Sequence, residues 1–94
     1  MPYSSSTFDL ILKEHIAKLA PSKMLDVGTG AGKNGLIART ILPSLQLEGI
    51  EPTTEYIKNF NLLNIYDKIY ETDIQTFSKQ YSQNRYDIVI FGRT

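Results

Sequence analysis

The sequence predicts an α/β protein, a partial doubly wound parallel sheet with flanking helices. Three observations lead there. Short apolar runs of strand length alternate with stretches whose apolar residues recur every three or four positions, the pattern of strands joined through crossover helices into a parallel sheet. The runs are continuous, as in strands covered by helices on both sides. A glycine-rich segment, with Gly28, Gly30 and Gly32, follows the first run, where a close-packed turn would lead from a strand into a helix.

The elements follow in order. Ser6, with Asp9 three positions later, reads as the start of a helix. Phe8, Ile11, Leu12, Ile16 and Leu19 form its apolar stripe, and Pro21 ends it. MPYSSS before it is polar and loose. Residues 24–27 form the first strand. Leu36, Ile37, Ile41 and Leu42 give a second helical face that stops at Pro43. Residues 45–50 read as a strand, and Thr53 or Thr54 caps a helix carrying Ile57, Phe60 and Leu63. A brief strand at 68–70 and a short helix with Ile74, Phe77 and Tyr81 come next. The last strand, 86–91, contains an Ile-Val-Ile-Phe run expected to be buried on both faces.

Composition narrows the function classes. The 94 residues carry ten Lys and Arg against ten Asp and Glu, with no long run of either sign, which argues against binding nucleic acid through a basic face. There is no cysteine and one histidine, His15, which removes thiolate metal sites and disulfides; His15 reads as a packed or half-exposed helix residue. No stretch approaches the roughly 18 apolar residues of a membrane span, and the N-terminus lacks a secretory pattern. These features predict a cytoplasmic protein without membrane or nucleic-acid partners. One domain, 1–94, is expected.

The glycine segment admits three readings. A phosphate loop of the NTPase type would need glycine where Val27 stands and a hydroxyl where Asn34 stands, and it fails on both. A dinucleotide fingerprint matches literally at Gly30, Gly32 and Gly35, with Glu51 about 20 positions on, but leaves Asp26 unexplained. The third reading takes Asp26, Gly28, Gly30 and Gly32 together as acid-x-Gly-x-Gly-x-Gly. Further landmarks follow it. Leu47-Glu48-Gly49-Ile50-Glu51-Pro52 ends a strand on an acid, Glu71-Thr72-Asp73-Ile74 places an acid before an apolar residue, and Asp87 stands at the head of the last apolar run.

Through these residues, from about 19 to 92, the chain resembles the class I S-adenosylmethionine-dependent methyltransferases. The resemblance implies a Rossmann-like fold with strands in the order 3-2-1-4, cut off after the fourth of seven strands, and S-adenosyl-L-methionine as cofactor. Asp26 would accept from the cofactor's ammonium group, directly or through water. Gly28, Thr29 and Gly30 would form the loop beneath its methionine portion, with Gly32 letting the next helix approach. Glu51, followed by Pro52, would accept from both ribose hydroxyls. Asp73 would accept from the adenine amino group and the Ile74 N–H would meet a ring nitrogen. Asp87 is expected to be structural.

The implied activity is methyl transfer to an unidentified acceptor. No catalytic residue is assigned, because the family places much of its acceptor site beyond strand four, where this chain has Gly92, Arg93 and Thr94. The alternatives are a non-catalytic S-adenosylmethionine- or nucleotide-binding fragment and an NAD-binding oxidoreductase fragment. Strand 86–91, left at an edge, is expected to pair antiparallel with its copy in a homo-oligomer.

Overall fold

The structure, a computed structural model, describes the backbone of residues 5–91 and the side chains of residues 9–91. Expectations for the first four residues, for the side chains of Ser6 and Phe8, and for Gly92, Arg93 and Thr94 lie outside the described residues. Four strands form one parallel sheet: β1 (Lys23–Val27), β2 (Gln46–Ile50), β3 (Lys68–Tyr70) and β4 (Ile88–Phe91). Their order is β3-β2-β1-β4, as expected. Met24 stands opposite Leu47 on one side and Ile88 on the other, so β1, like β2, is an interior strand.

Helices α1 (Ser5–Leu19), α2 (Lys33–Ile41), α3 (Thr54–Asn59) and α4 (Ile74–Gln80) connect and cover the strands, with a 3-10 turn at Leu62–Asn64. Side chains alternate across a strand, and the core is accordingly split into two layers. Leu12, Ile16, Met24, Ala38, Leu45, Leu47, Leu62 and Tyr66 pack on one face. Leu25, Ile50, Tyr70 and Phe77 pack on the other. Burying each large apolar side chain contributes roughly 1.5–3 kcal/mol, so these two layers are the main source of stability. No helix among the described residues is long and apolar enough to cross a membrane.

Several local expectations are corrected. Helix α1 already includes Ser5, so Ser6 lies inside it rather than capping it. Asp9 is beyond the first turn and pairs with Lys33 at the head of α2 (2.8 Å). Leu19 and Leu36 are exposed. In α2 the closely packed line runs through Gly35 and Ala38, whose small side chains let the helix lie close to the layer beneath. The helix expected to carry Ile57, Phe60 and Leu63 stops at Asn59, because Asn61 takes a left-handed conformation (φ 50°). That break turns Leu62 inward and leaves Leu63 exposed. His15 is exposed.

Strand β4 departs furthest from expectation. It begins at Ile88, and its side chains alternate instead of being buried on both faces. Ile88 and Ile90 pack against the α1 layer, whereas Val89 and Phe91 are 46% and 67% exposed. Among the described residues the strand has one hydrogen-bonded neighbour, β1, and too little of the opposite layer reaches it.

Candidate functional site

Strand β1 ends at Val27 and the chain turns at once over the end of β2. The Gly28 and Thr29 N–H groups both donate to the Ile50 carbonyl (2.9 and 3.3 Å). Gly28, Gly30 and Gly32 all have positive φ (74°, 53° and 87°), a region that costs side-chain-bearing residues energy. Gly30 and Gly32 differ in what surrounds them. A Cβ on Gly30 would meet nothing within 4 Å. A Cβ on Gly32 would press on Leu62 and Ile65 (2.9 and 3.0 Å). Gly32 therefore lies close against the segment around the 3-10 turn, while Gly30 faces open space.

Glu51, just past β2, is 3% exposed and turned onto this loop. Its Oε1 accepts from the Thr29 hydroxyl (3.2 Å) and the Gly30 N–H (2.9 Å), and its Oε2 from the Thr53 N–H (3.0 Å). A carboxylate has about four acceptor positions, so Glu51 braces the loop and retains one. Pro52, between Glu51 and Thr53, is exposed.

Asp26 lies inside β1 with no solvent exposure. Its Oδ2 accepts from the Tyr66 hydroxyl at 2.5 Å, and its Oδ1 has no partner among the described residues. Burial pushes its carboxyl up to about 6; the Tyr66 hydrogen bond pulls the other way, and the Glu51 charge adds to the rise. Burial also raises the Tyr66 phenol, helped by the Asp26 charge and hydrogen bond. A buried carboxylate with one oxygen unmatched is costly.

Asp73 and Ile74 stand one strand further on, past the end of β3. Asp73 is the N-cap of α4, its Oδ1 accepting from the Thr76 N–H (2.7 Å). That backbone bond, with the Thr76 side chain, holds its carboxyl below the usual range. Asp73 is exposed, and no hydrogen bond among the described residues ties it or Ile74 to the glycine loop. The structure thus brings Asp26, the loop and Glu51 together and leaves Asp73 and Ile74 at the adjoining strand end. Asp87 is structural, its Oδ2 accepting from the Ser22 and Lys23 N–H groups (2.8 and 3.0 Å) where β1 begins.

Two polar groups escaped the sequence reading. Tyr66 carries no motif; its sequence signal was the pair Gly35 and Gly49, at each of which a Cβ would overlap the Tyr66 ring or its immediate surroundings. Glu48 is buried on β2 and accepts from the Tyr70 hydroxyl (3.2 Å) and the Tyr86 hydroxyl (2.6 Å). Its signal was a lone acid between Leu47 and Ile50 of the strand.

No protein-family model and no curated protein matches the chain. Solved structures do. A Staphylococcus aureus protein described as a caffeoyl-CoA O-methyltransferase superposes with a TM-score of 0.73 at 20% identity, over 95% of this chain and 45% of that one. The plantazolicin methyltransferase BpumL, solved with a pentazolic desmethylPZN analog and SAH, gives 0.73 at 28% identity, over 92% and 35%. An O-methyltransferase from Bacillus cereus in complex with SAH gives 0.69 at 16%, over 96% and 46%. The chain therefore spans less than half the length of these structures, and its strand order and flanking helices match their Rossmann-like fold.

Proposed function

We propose, from a class I methyltransferase fold covering the chain, that these residues are the cofactor-binding portion of an S-adenosylmethionine-dependent methyltransferase. The observation that carries the reading is the unmatched Oδ1 of Asp26 beside a loop whose Gly30 faces open space. A ligand with a cationic end and a body lying against bare backbone fits both. The complexes of BpumL and of the Bacillus cereus enzyme with SAH support the same choice. When bound, the cofactor supplies an electrophilic methyl group on a sulfonium for a nucleophilic acceptor.

Within that reading the residues divide the ligand. The loop from Gly28 through Thr29 to Gly30 offers backbone that a ligand can approach closely. Asp26 serves the ammonium group through a bridging water, since it has no exposed surface of its own. Glu51 offers its remaining acceptor position to the ribose hydroxyls while still bracing the loop. Asp73 and the Ile74 N–H serve the adenine. The acceptor is unidentified and no residue is assigned to the transfer step.

An NAD-binding reading is less well supported, because it gives no role to Asp26, and the neighbours solved with a bound cofactor product carry SAH. Cofactor binding without turnover by these residues alone is favoured by the short span relative to the neighbours. Calorimetry with S-adenosylhomocysteine and with NAD separates the first two, and a methylation assay separates turnover from binding. Tight binding of S-adenosylhomocysteine, weakened by roughly 1.5–3 kcal/mol in Glu51→Ala, is expected. Preference for NAD would overturn the reading.

The proposal extends to location and assembly. The cytoplasmic placement rests on the sequence reading. Self-association through β4 is supported by its exposed Val89 and Phe91, since an unpaired apolar edge is a template for another chain. Sedimentation at tens of micromolar is expected to show a dimer or larger species that Val89→Lys dissociates; a monomer unchanged by that substitution would remove this part.

A further inference from the structure

Asp26 and Tyr66 are separated by 40 positions, yet their side chains meet in the interior at 2.5 Å. The surroundings are built to bring them together. Tyr66 is 2% exposed, and its ring occupies space that a side chain at Gly35 on α2 would overlap. A Cβ on Gly49 of β2 would likewise lie 3.1 Å from the ring, and one on Gly32 would touch it at 3.7 Å. Three glycines on three segments therefore surround one aromatic residue.

The backbone carrying Tyr66 is held on both sides by Arg39. Its Nε and Nη2 donate to the Ile65 carbonyl (3.2 and 3.0 Å), and Nη2 pairs with Asp67 Oδ2 (3.1 Å). Asp67 Oδ2 also accepts from the Leu47 N–H on β2 (2.8 Å), and Arg39 Nη1 reaches the Leu45 carbonyl (2.5 Å). The phenol is thus delivered to Asp26 by a segment pinned to α2 and β2.

Packing alone does not call for a hydroxyl here. Phenylalanine would fill nearly the same volume, and an apolar residue in place of Asp26 would avoid burying a carboxylate. What the pair does achieve is an asymmetric carboxylate, with Oδ2 committed and the buried Oδ1 without a partner among the described residues. We infer that Tyr66 is a positioning residue of the cofactor site: by holding Oδ2 of Asp26 it fixes that carboxylate so that Oδ1 is left to the water that bridges it to the ligand's ammonium group. The inference rests on the methyl-donor reading above. The titratable groups that bear on Asp26 are Tyr66, from the segment before β3, and Glu51, from the end of β2.

The test uses two ligands that share the adenosine and thioether but differ in the cationic end. S-adenosylhomocysteine carries the ammonium group; 5′-methylthioadenosine lacks the whole amino-acid portion. Tyr66→Phe is expected to weaken S-adenosylhomocysteine about tenfold, as for loss of a hydrogen bond to a charged group, and to leave 5′-methylthioadenosine within roughly twofold. Without the phenol the carboxylate gains its proton more readily, so the pH midpoint of S-adenosylhomocysteine binding should also move upward. Asp26→Asn should discriminate between the ligands in the same way, and Tyr66→Phe added to it should have no further effect on either, which keeps the test valid if one single variant folds poorly. Equal loss for both ligands, or no loss for either, would show that Tyr66 serves packing alone. Failure of the unaltered protein to bind S-adenosylhomocysteine would overturn the methyl-donor reading itself and this inference with it.

Discussion

Strands β1 and β4 are hydrogen-bonded neighbours, both rich in large apolar residues, and they meet different surroundings. In β1, Met24 and Leu25 are buried to 0% and 3% exposure, and even the carboxylate of Asp26 is enclosed. In β4, Val89 and Phe91 remain 46% and 67% exposed although nothing in their chemistry is less apolar. The difference lies in the neighbours. β1 has a strand on each side and packed layers above and below. β4 has one strand beside it, with α1 covering the Ile88 and Ile90 face. Apolar sequence sets what a strand gains from burial; the surrounding elements decide whether that gain is realised.

The largest expected effect tests the interior strand. Met24→Ala removes a fully buried side chain from the centre of the sheet and is expected to cost about 2–5 kcal/mol in denaturant unfolding. A loss below about 0.5 kcal/mol would erase the contrast, since that is the range of an ordinary surface change.

Next comes the charge that β1 buries. The folded carboxyl of Asp26 is raised to about 6 from 3.8, so between those values the folded state holds a proton that the unfolded state has released. Stability from this group is therefore full below about pH 4 and is lost as pH rises through about 6, by about 3 kcal/mol at most. Comparing urea unfolding of the protein with Asp26→Asn across pH 4–7 isolates the effect, because the amide has no such slope. A difference that grows in the opposite direction would mean that Asp26 is held ionised in the fold. Binding of an ammonium-bearing ligand near pH 6 should release a proton, readable as a calorimetric heat that depends on the buffer.

The third prediction concerns how tightly the layer under β1 is filled. Gly35→Ala places a methyl group against the Tyr66 ring and is expected to cost about 1–3 kcal/mol through overpacking. Combining it with Tyr66→Ala should be less than additive; simple additivity would show that the two positions do not share space. Last and smallest, Phe91→Ala on β4 should change unfolding of the dilute protein by no more than about 0.5 kcal/mol, measured below the concentration at which it self-associates. A larger loss would show that the edge is already covered.

Much of the architecture was legible in the residues. Alternation of runs and stripes located four strands, the resemblance supplied their order, and β3 falls on the expected 68–70. The glycine loop and the acids at the ends of β2 and β3 stand where the motifs placed them. Periodicity was a poorer guide at the level of single side chains. It made one helix of the segment from Thr54 to Leu63, because a helical stripe gives no sign of the left-handed residue at Asn61 that swaps Leu62 for Leu63 in the core.

By itself the sequence determined what is local: turns that need glycine, faces that need burial, and the spacing that sets strands and helices in alternation. Tertiary structure alone decided which acid is spoken for and which is left open. Glu51 spends three hydrogen bonds holding the loop 21 and 22 positions behind it and a threonine two positions ahead. Asp73 caps its own helix, and Asp26 keeps one oxygen unmatched because Tyr66, 40 positions away, takes the other. Hydrogen bonds and close contacts depend on distances of a few ångströms, and such distances between remote residues exist only once the sheet has brought its strands together.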